Sequence, residues 1–527
     1  AIRTLGRSGR KPAAVVLLDL LSNNQKAICD AAAEALRELT GQSYGTEAAP
    51  WQAWWAGHKD VSNDTWLEER LYYQSSRTRR LKGELERART HVVQLHQQLY
   101  SRLPQADKLG HVQGLAEHED AAVRALAVAW CTELLSTADA VGQRALTDTL
   151  LRFSLDHAAD VQRAAVLALG NVNDLRAFER LRGVLRRGEP PMRAAAARAL
   201  VQQTKLVRKE NTDDARALQR EVVPLLQKAL EDPALEVVVE AAEALGSLGW
   251  PEAVPVLTLL LRHPSEPVRL TAAQALERVA DASVLQDLIR ALDDPLASVR
   301  FSLVGALGRA VGDGRDLSAT DRGRVMLRLE NLLQQDTDPG VRSRAATVLG
   351  ECGTPSILIS LWKRVQPAED NRVQEKAWAA LMNIVARANS LELLAKWNQV
   401  LIDGKQTERR VQLATTVLDA WKKLDDTKPL IGPTTEILVQ AQLEHGKWLA
   451  AFPLVRELLK RPGSDADVGR RLRWLLEIGE QAVRDKNRPE ALRVVQEAQT
   501  FLPRSSRTLA LEFARLEKQA QGIGGER

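Results

Sequence analysis

The chain repeats itself, and the repeat decides what it can fold into. "LEVVVEAAEALGSLGWPEAVPVLTLLLRHP" from Leu235 and "SEPVRLTAAQALERVADASVLQDLIRALDDP" from Ser265 share one pattern. "LASVRFSLVGALGRAVGDG" from Leu296 and "DPGVRSRAATVLGECG" from Asp338 share it too. A turn with Asp or Pro leads into Val-Arg, then small and apolar residues at helical spacing, a Gly-containing turn, and a second apolar helix. The leading apolar residue falls at Ile28, Val123, Val161, Met192, Val237, Val268, Val299, Val341, Val373 and Val411. The steps 161 to 192, 237 to 268 and 268 to 299 are each 31, and 341 to 373 is 32. One helix pair cannot bury its apolar face alone, so pairs at a fixed period stack on their neighbours. The predicted fold class is all-α, an α/α superhelical solenoid of helix-pair repeats.

Bulk properties agree. A chain of 527 residues exceeds a single core, and 45% hydrophobic with 27% charged residues describes a folded chain. The greasiest run, Ala13–Leu21, is broken by Asp19 and is far short of a membrane span. A net charge of +5 permits an acidic partner without requiring one. Cys29, Cys131 and Cys352 stand far apart in apolar helical patterns and read as buried thiols rather than a disulfide scaffold or a metal knuckle. They leave the compartment open. Leu5-Gly6 aligns with Leu245-Gly246, which predicts that the chain begins inside a first helix with part of a repeat preceding it.

The "D-P-x-x-x-V-R-x-x-A-A-x-A-L-G" pattern with its second helix resembles HEAT repeats, of the short kind found in phycobilisome-lyase-type proteins. The resemblance covers residues 1–41 and 106–425 and implies architecture rather than activity. No bilin pocket is legible, so lyase activity is not carried over. From residue 430 to 527 the register changes. Leu475, Ile478, Gly479, Ala482, Ala491, Val495, Ala498 and Pro503 resemble a tetratricopeptide repeat, and His445–Leu459 resembles the second half of another. Arg507–Ala520 would close the stack as a polar-faced cap.

Departures from the period locate insertions. Ile28 to Val123 is 95 residues, and Asp107–Asp120 reads as the second helix of the repeat begun at Ile28. Residues 42–105 are then one insertion inside a repeat. Excesses of 14 and 11 residues fall at "QQTKLVRKENTDDARA" and "GDGRDLSATDRG". All three lie between first and second helices, predicting projecting loops on one edge, which surface connections also accumulate by neutral drift.

Within the large insertion, Leu67, Leu71, Gln74, Thr78, Leu81, Leu85, Ala88, Val92, Leu95 and Leu99 follow 4-3-4-3 spacing. That is a coiled-coil seam on an inserted helix over 64–103, roughly 60 Å long at ~1.5 Å per residue. Ser62, Asn63 and Asp64 supply N-caps and Pro104 a stop. One seam needs one partner, and both the solenoid's own flank and another chain remain open. Trp51, Trp54 and Trp55, with Trp66 just beyond, sit at the junction. Burying an elbow is their simplest role, and an exposed ligand platform is the alternative.

No phosphate-binding loop, nucleophile elbow, zinc-protease helix or paired-cysteine motif occurs. The eight histidines are dispersed without ligand spacing, and no catalytic, cofactor or metal residues are assigned. Arg124, Arg269, Arg300 and Arg342 of the Val-Arg pairs predict a ladder against Asp residues of neighbouring turns. Arg77, Arg79, Arg80 and Lys82 on the long helix, with Lys205, Arg208 and Lys209 in a projecting loop, form the candidate basic patch. Against a solvated coiled-coil flank, nucleic acid is the less favoured reading. The expectation is a non-enzymatic protein-interaction scaffold, with no membrane span and no cofactor. Its candidate partner contacts are Trp51, Trp54, Trp55, Leu81, Leu85, Val92, Leu95 and Leu99, and a homodimer through 64–103 is one arrangement. A nucleic-acid-binding solenoid is the alternative.

Overall fold

The computed structural model describes residues 1–210, 212–312, 317–425, 429–502 and 507–523, the side chains of 209, 210 and 212–216 lying outside that description. Among the described residues there are 28 α-helices, four short 3-10 turns and no strand. The chain is an α/α solenoid of helix-pair repeats. It divides into two compact units, Ala1–Arg180 and Leu181–Arg527.

The repeat is clearest in the second unit. The first helices Leu235–Leu248, Glu266–Val279, Ala297–Gly312, Pro339–Cys352, Asn371–Ala388 and Thr407–Leu424 each pack on the next. Shorter second helices, such as Val254–Leu260 and Leu285–Ala291, cover one side of them. The leading residues Val237, Val268, Val299, Val341 and Val373 are sealed in the stack. Small residues bring the helices together: a Cβ on Gly246 would stand 2.6 Å from Ala275 Cα, and one on Gly350 2.7 Å from Ala380 Cα. Asp338 caps its helix by accepting from Val341 N, with Pro339 at the position that tolerates a missing N–H. At the last of these helices the register corrects the sequence reading. Arg410 is the buried leading residue, and Val411 beside it is only half-buried.

Two expected loops are also corrected. The 14-residue excess is mostly helix. Pro190–Glu210 runs for 21 residues and Thr212–Ala229 for 18, against 14 for Leu235–Leu248. Lys205 and Arg208 therefore ride on a helix, where Val207 is buried, rather than on a projecting loop. The 11-residue excess likewise lengthens Ala297–Gly312 and Ala319–Gln335 to 16 and 17 residues, and part of its connection lies outside the described residues. Polar residues in these stretches suggested loops, but apolar ones at helical spacing keep each helix anchored.

The tail closes on its own core. Helices Ile431–Glu444, Trp448–Lys460, Asp465–Arg484, Arg488–Phe501 and Arg507–Gly522 enclose Leu475, Ile478, Ala482, Ala491, Val495, Ala498, Phe513 and Leu516. Ser464 and Asp467 form a reciprocal capping box at the start of the third.

The first unit opens with Ile2–Ser8 packed on Lys26–Thr40. A Cβ on Gly6 would stand 2.7 Å from Ala35 O, which is the register of Gly246 on Ala275. Beyond Thr40 the packing divides 42–105 differently from a single insertion. Ala48–His58 packs on Pro12–Leu20 as one second helix does on another. Its Trp51 joins the core of Ala14, Leu17, Leu36 and Leu39. The end of Asn63–Arg102 packs on Ala121–Leu135, and Gln105–Gly114 packs on Ala121–Leu135 and Ala140–Phe153. The last turns of the long helix thus serve as the first helix of a repeat whose second helix is Gln105–Gly114. What exceeds the period is the earlier part of the long helix.

Candidate functional site

The long helix, Asn63–Arg102, is 40 residues, and Ser62 caps it by accepting from Thr65 N at 3.1 Å. It is fastened at both ends. At the first, the Trp66 indole N–H donates to Gly9 O at 3.1 Å, and Arg70 Nη2 to Arg7 O at 3.4 Å. The Tyr73 ring lies over Gly41, whose φ of 80° and missing Cβ leave room for it. Trp51 is enclosed, donating to Gly45 O at 2.8 Å and meeting Tyr44 edge-on at 5.1 Å. Trp54 stacks on His58 at 4.2 Å, and both Trp54 and Trp55 stand about 6 Å from Trp66. Trp51, offered from sequence as a partner contact, is corrected here: a side chain with no exposed surface cannot meet a partner. Trp54 and Trp55 are half-buried.

At the other end Tyr100 stacks on Trp130, ring centroids 4.1 Å apart and planes 4° from parallel. Lys108 Nζ sits 4.6 Å from the Tyr100 centroid. His96 meets His118 edge-on at 5.3 Å and lies tilted to His111 at 6.3 Å. His96 Nδ1, His111 Nε2 and the Tyr100 hydroxyl are enclosed without a hydrogen-bond partner. Burial, then the neighbouring His118 and His111, hold the His96 imidazole below its ordinary pKa. Among the described residues no group of three His, Cys, Asp or Glu is placed to hold a metal ion.

Between these anchors every residue from 77 to 91 is exposed. The first anchor uses Trp66, Arg70 and Tyr73, on one flank of the seam. The second uses Arg89, which reaches Asp120 at 3.5 Å, with His96 and Tyr100, on the other flank. Neither covers the seam. Leu67, Leu71, Leu81, Leu85, Leu95 and Leu99 are 43–66% exposed, as is usual for a helix residue with nothing against it. Val92 alone among the ten seam positions is half-buried, because it also begins the repeat that ends at Gln105–Gly114.

Of the basic candidates, Arg77, Arg79, Arg80 and Lys82 are exposed, and Arg80 is paired with Glu84 at 2.9 Å. Lys205 and Arg208 are exposed on Pro190–Glu210, and the Lys209 side chain lies outside the described residues. The Val-Arg arginines form rungs. Arg124 binds Asp156, Arg269 binds Asp294, Arg300 binds Asp336 and Arg342 binds Glu369, at 2.6–2.7 Å. Each also donates to carbonyls of the turn before it, as Arg300 does to Asp294 O and Pro295 O. Arg193, after Met192, makes the same rung to Asp232 and was missed from sequence. No helix among the described residues is long and apolar enough to cross a membrane.

Residues 110–201 and 257–319 match the family model for HEAT repeats, and 237–263 match the PBS lyase HEAT-like repeat. Among curated proteins no relative matches the chain. Similar solved structures include importin beta crystallised with ammonium sulfate, 16% identical over 97% of this chain and 77% of that one, at a TM-score of 0.47. A chain from the structure of Kap95p with RanGDP is 12% identical over 98% and 69%, at 0.48. An engineered protein is 20% identical over 80% and 100%, at 0.36. With its helix pairs stacked one on the next, the chain is an α/α solenoid that carries HEAT repeats at residues 110–201 and 257–319.

Proposed function

We propose that this chain is a non-enzymatic protein-interaction scaffold whose long helix presents a coiled-coil seam to a protein partner. One observation carries the reading. Six leucines lie uncovered along one face of a helix fastened at both ends. Leaving so much apolar surface in water is costly, at about 25 cal/mol per Å², and contiguous exposed apolar surface marks an interaction site. Anchoring also lowers the entropy lost on binding, since the helix is already formed and aimed. Trp54 and Trp55 would stiffen the elbow, and the tetratricopeptide-like tail is read as a second, independent helical surface. The test is affinity capture with the full chain and with a Leu81→Glu, Leu85→Glu variant of unchanged helix content. Proteins retained by the former and lost from the latter are the expected outcome. Identical captures from both would show that the seam recruits no other protein.

A further inference from the structure

We infer that the partner of the seam is a second copy of the same helix, lying parallel and in register. This rests on the reading of the long helix as a binding surface and names its occupant.

Length is the first argument. The seam from Leu67 to Leu99 is 33 residues, about 50 Å at 1.5 Å per residue. Among the described helices the next longest are Pro190–Glu210 and Asp465–Arg484, of 21 and 20 residues. Each is already spent in its own core, through Leu200 and Val207 in one and Leu475 and Ile478 in the other. Among the described helices, only another Asn63–Arg102 covers the seam in one span. Two such helices in contact over ~50 Å of a face ~10 Å wide would bury about 1,000 Å² in total, which reaches what a specific interface needs.

The composition of the layers sets the direction. In a parallel pair each seam residue meets itself across the two-fold axis. Leucine meets leucine at 67, 71, 81, 85, 95 and 99. Gln74 meets the partner's Gln74 and Thr78 the partner's Thr78, so amide and hydroxyl find polar partners inside the seam and fix the register. The antiparallel pairing centred on Gly83 sets Gln74 against the partner's Val92 and Thr78 against the partner's Ala88, leaving both polar groups without partners.

The flanking charges point the same way. In the parallel pair Glu84 faces the partner's Arg89 and Arg77 the partner's Lys82, each pairing made twice by the two-fold axis, so two attractions offset two repulsions. In the antiparallel pair Glu84 faces the partner's Glu84 and Lys82 the partner's Lys82. The fastened ends do not oppose the pairing, because the anchors hold flanks and leave nine of ten seam positions exposed.

The test uses the full chain. Sedimentation equilibrium should give a dimer, and Leu81→Glu with Leu85→Glu should weaken it more than a hundredfold with the circular dichroism unchanged. Thr78→Cys should then form a covalent dimer on oxidation, while Arg79→Cys, one residue off the seam, should not. The unsubstituted chain measures any background from Cys29 and Cys352. A monomer at every concentration, or a dimer indifferent to the glutamates, would overturn the proposal. So would a dimer that cross-links through Thr78→Cys with Ala88→Cys and not through Thr78→Cys alone, which is the antiparallel signature. A monomer that still captures a protein in a seam-dependent way would refute self-pairing and leave the scaffold reading standing.

Discussion

The guanidinium of Arg124 donates to both carboxylate oxygens of Asp156, at 2.7 and 2.8 Å, across the step from one repeat to the next. Both side chains are under 10% exposed. The same arginine donates to His118 O and Glu119 O, so one side chain ties two turns together. Asp156→Ala would leave that charge enclosed and unpaired, a loss of about 3–5 kcal/mol. The measurement is hydrogen exchange over Ala121–Leu135. Glu117→Ala, which breaks the exposed pair with Arg152, should cost about 0–1 kcal/mol. Equal effects would mean that the rung is ornamental.

The rungs also set acid behaviour. The Arg124 hydrogen bond holds the Asp156 carboxyl below its ordinary 3.8, and Arg193 does the same for Asp232. A carboxyl lowered by folding stabilises fully above its unfolded value, and that contribution drains away as pH falls through the folded one. Asp232→Asn should therefore be less stable than the natural chain at pH 7, and the two should converge as pH falls below 3.8 and through the lowered folded value. Denaturant midpoints followed by circular dichroism against pH would decide it. A gap that stays constant into acid would contradict the linkage.

How much of this was legible in the sequence depends on which periodicity dominated locally. The rungs were visible because Arg follows Val at 123, 268, 299 and 341. Arg193 was missed because Met192 stands in for Val, and Arg410 because an arginine occupies the apolar place itself. The seam was visible through its 3.5-residue repeat, and that repeat hid a second register beneath it. Val92 lies 31 residues before Val123, and His96 and Tyr100 correspond to Ala127 and Cys131. One helix thus carries a coiled-coil face along its length and a repeat face at its end. Reading only the first turned a repeat into part of an insertion. The anchors were written as aromatic residues at helical spacing, Trp66 with Tyr73 and His96 with Tyr100, on faces the seam does not use.

The second anchor should be sensitive to pH. Burial, then His118 and His111, lower the pKa of His96 from 6.5, and its Nδ1 has no partner to share a proton with. Around it stand the ion pair of Arg89 with Asp120, Lys108 over Tyr100, and Glu133 near the Tyr100 hydroxyl. A histidine lowered by folding stabilises fully above its unfolded pKa and loses that contribution as pH falls below it. Hydrogen exchange over residues 93–114, corrected for the intrinsic rate, should show this end loosening between pH 7 and pH 5. His96→Leu should abolish the dependence. An equal response in that variant would place the titrating group elsewhere.

Thiol reactivity gives an independent check on the stack. Burial pushes Cys131 up to about 12, and burial is also the main reason that Cys352 lies at about 11. Since the thiolate is the nucleophile, Cys131 should resist an alkylating reagent at pH 8 until the first unit unfolds, with half-exposed Cys29 reacting ahead of it. Mass spectrometry of timed digests would give the order. Early labelling of Cys131 would mean that Ala121–Leu135 opens far more readily than its packing implies.

The first anchor can be released without touching the second. Trp66 is 3% exposed and its indole N–H is spent on Gly9 O. Trp66→Phe keeps an aromatic ring in place and forfeits the hydrogen bond, at a cost of about 1–3 kcal/mol if the carbonyl stays dry. Trp66→Ala also empties a cavity among Trp54, Trp55 and the surrounding core, for about 3–5 kcal/mol. Hydrogen exchange should rise over Asn63–Tyr73 and Ala48–His58, more in the alanine variant, while Val93–Arg102 stays protected by Tyr100 on Trp130. That pattern would make the long helix a lever with two separable hinges. If protection were lost equally at both ends, the exposed span between them would be transmitting the damage, and the helix would open as one cooperative unit.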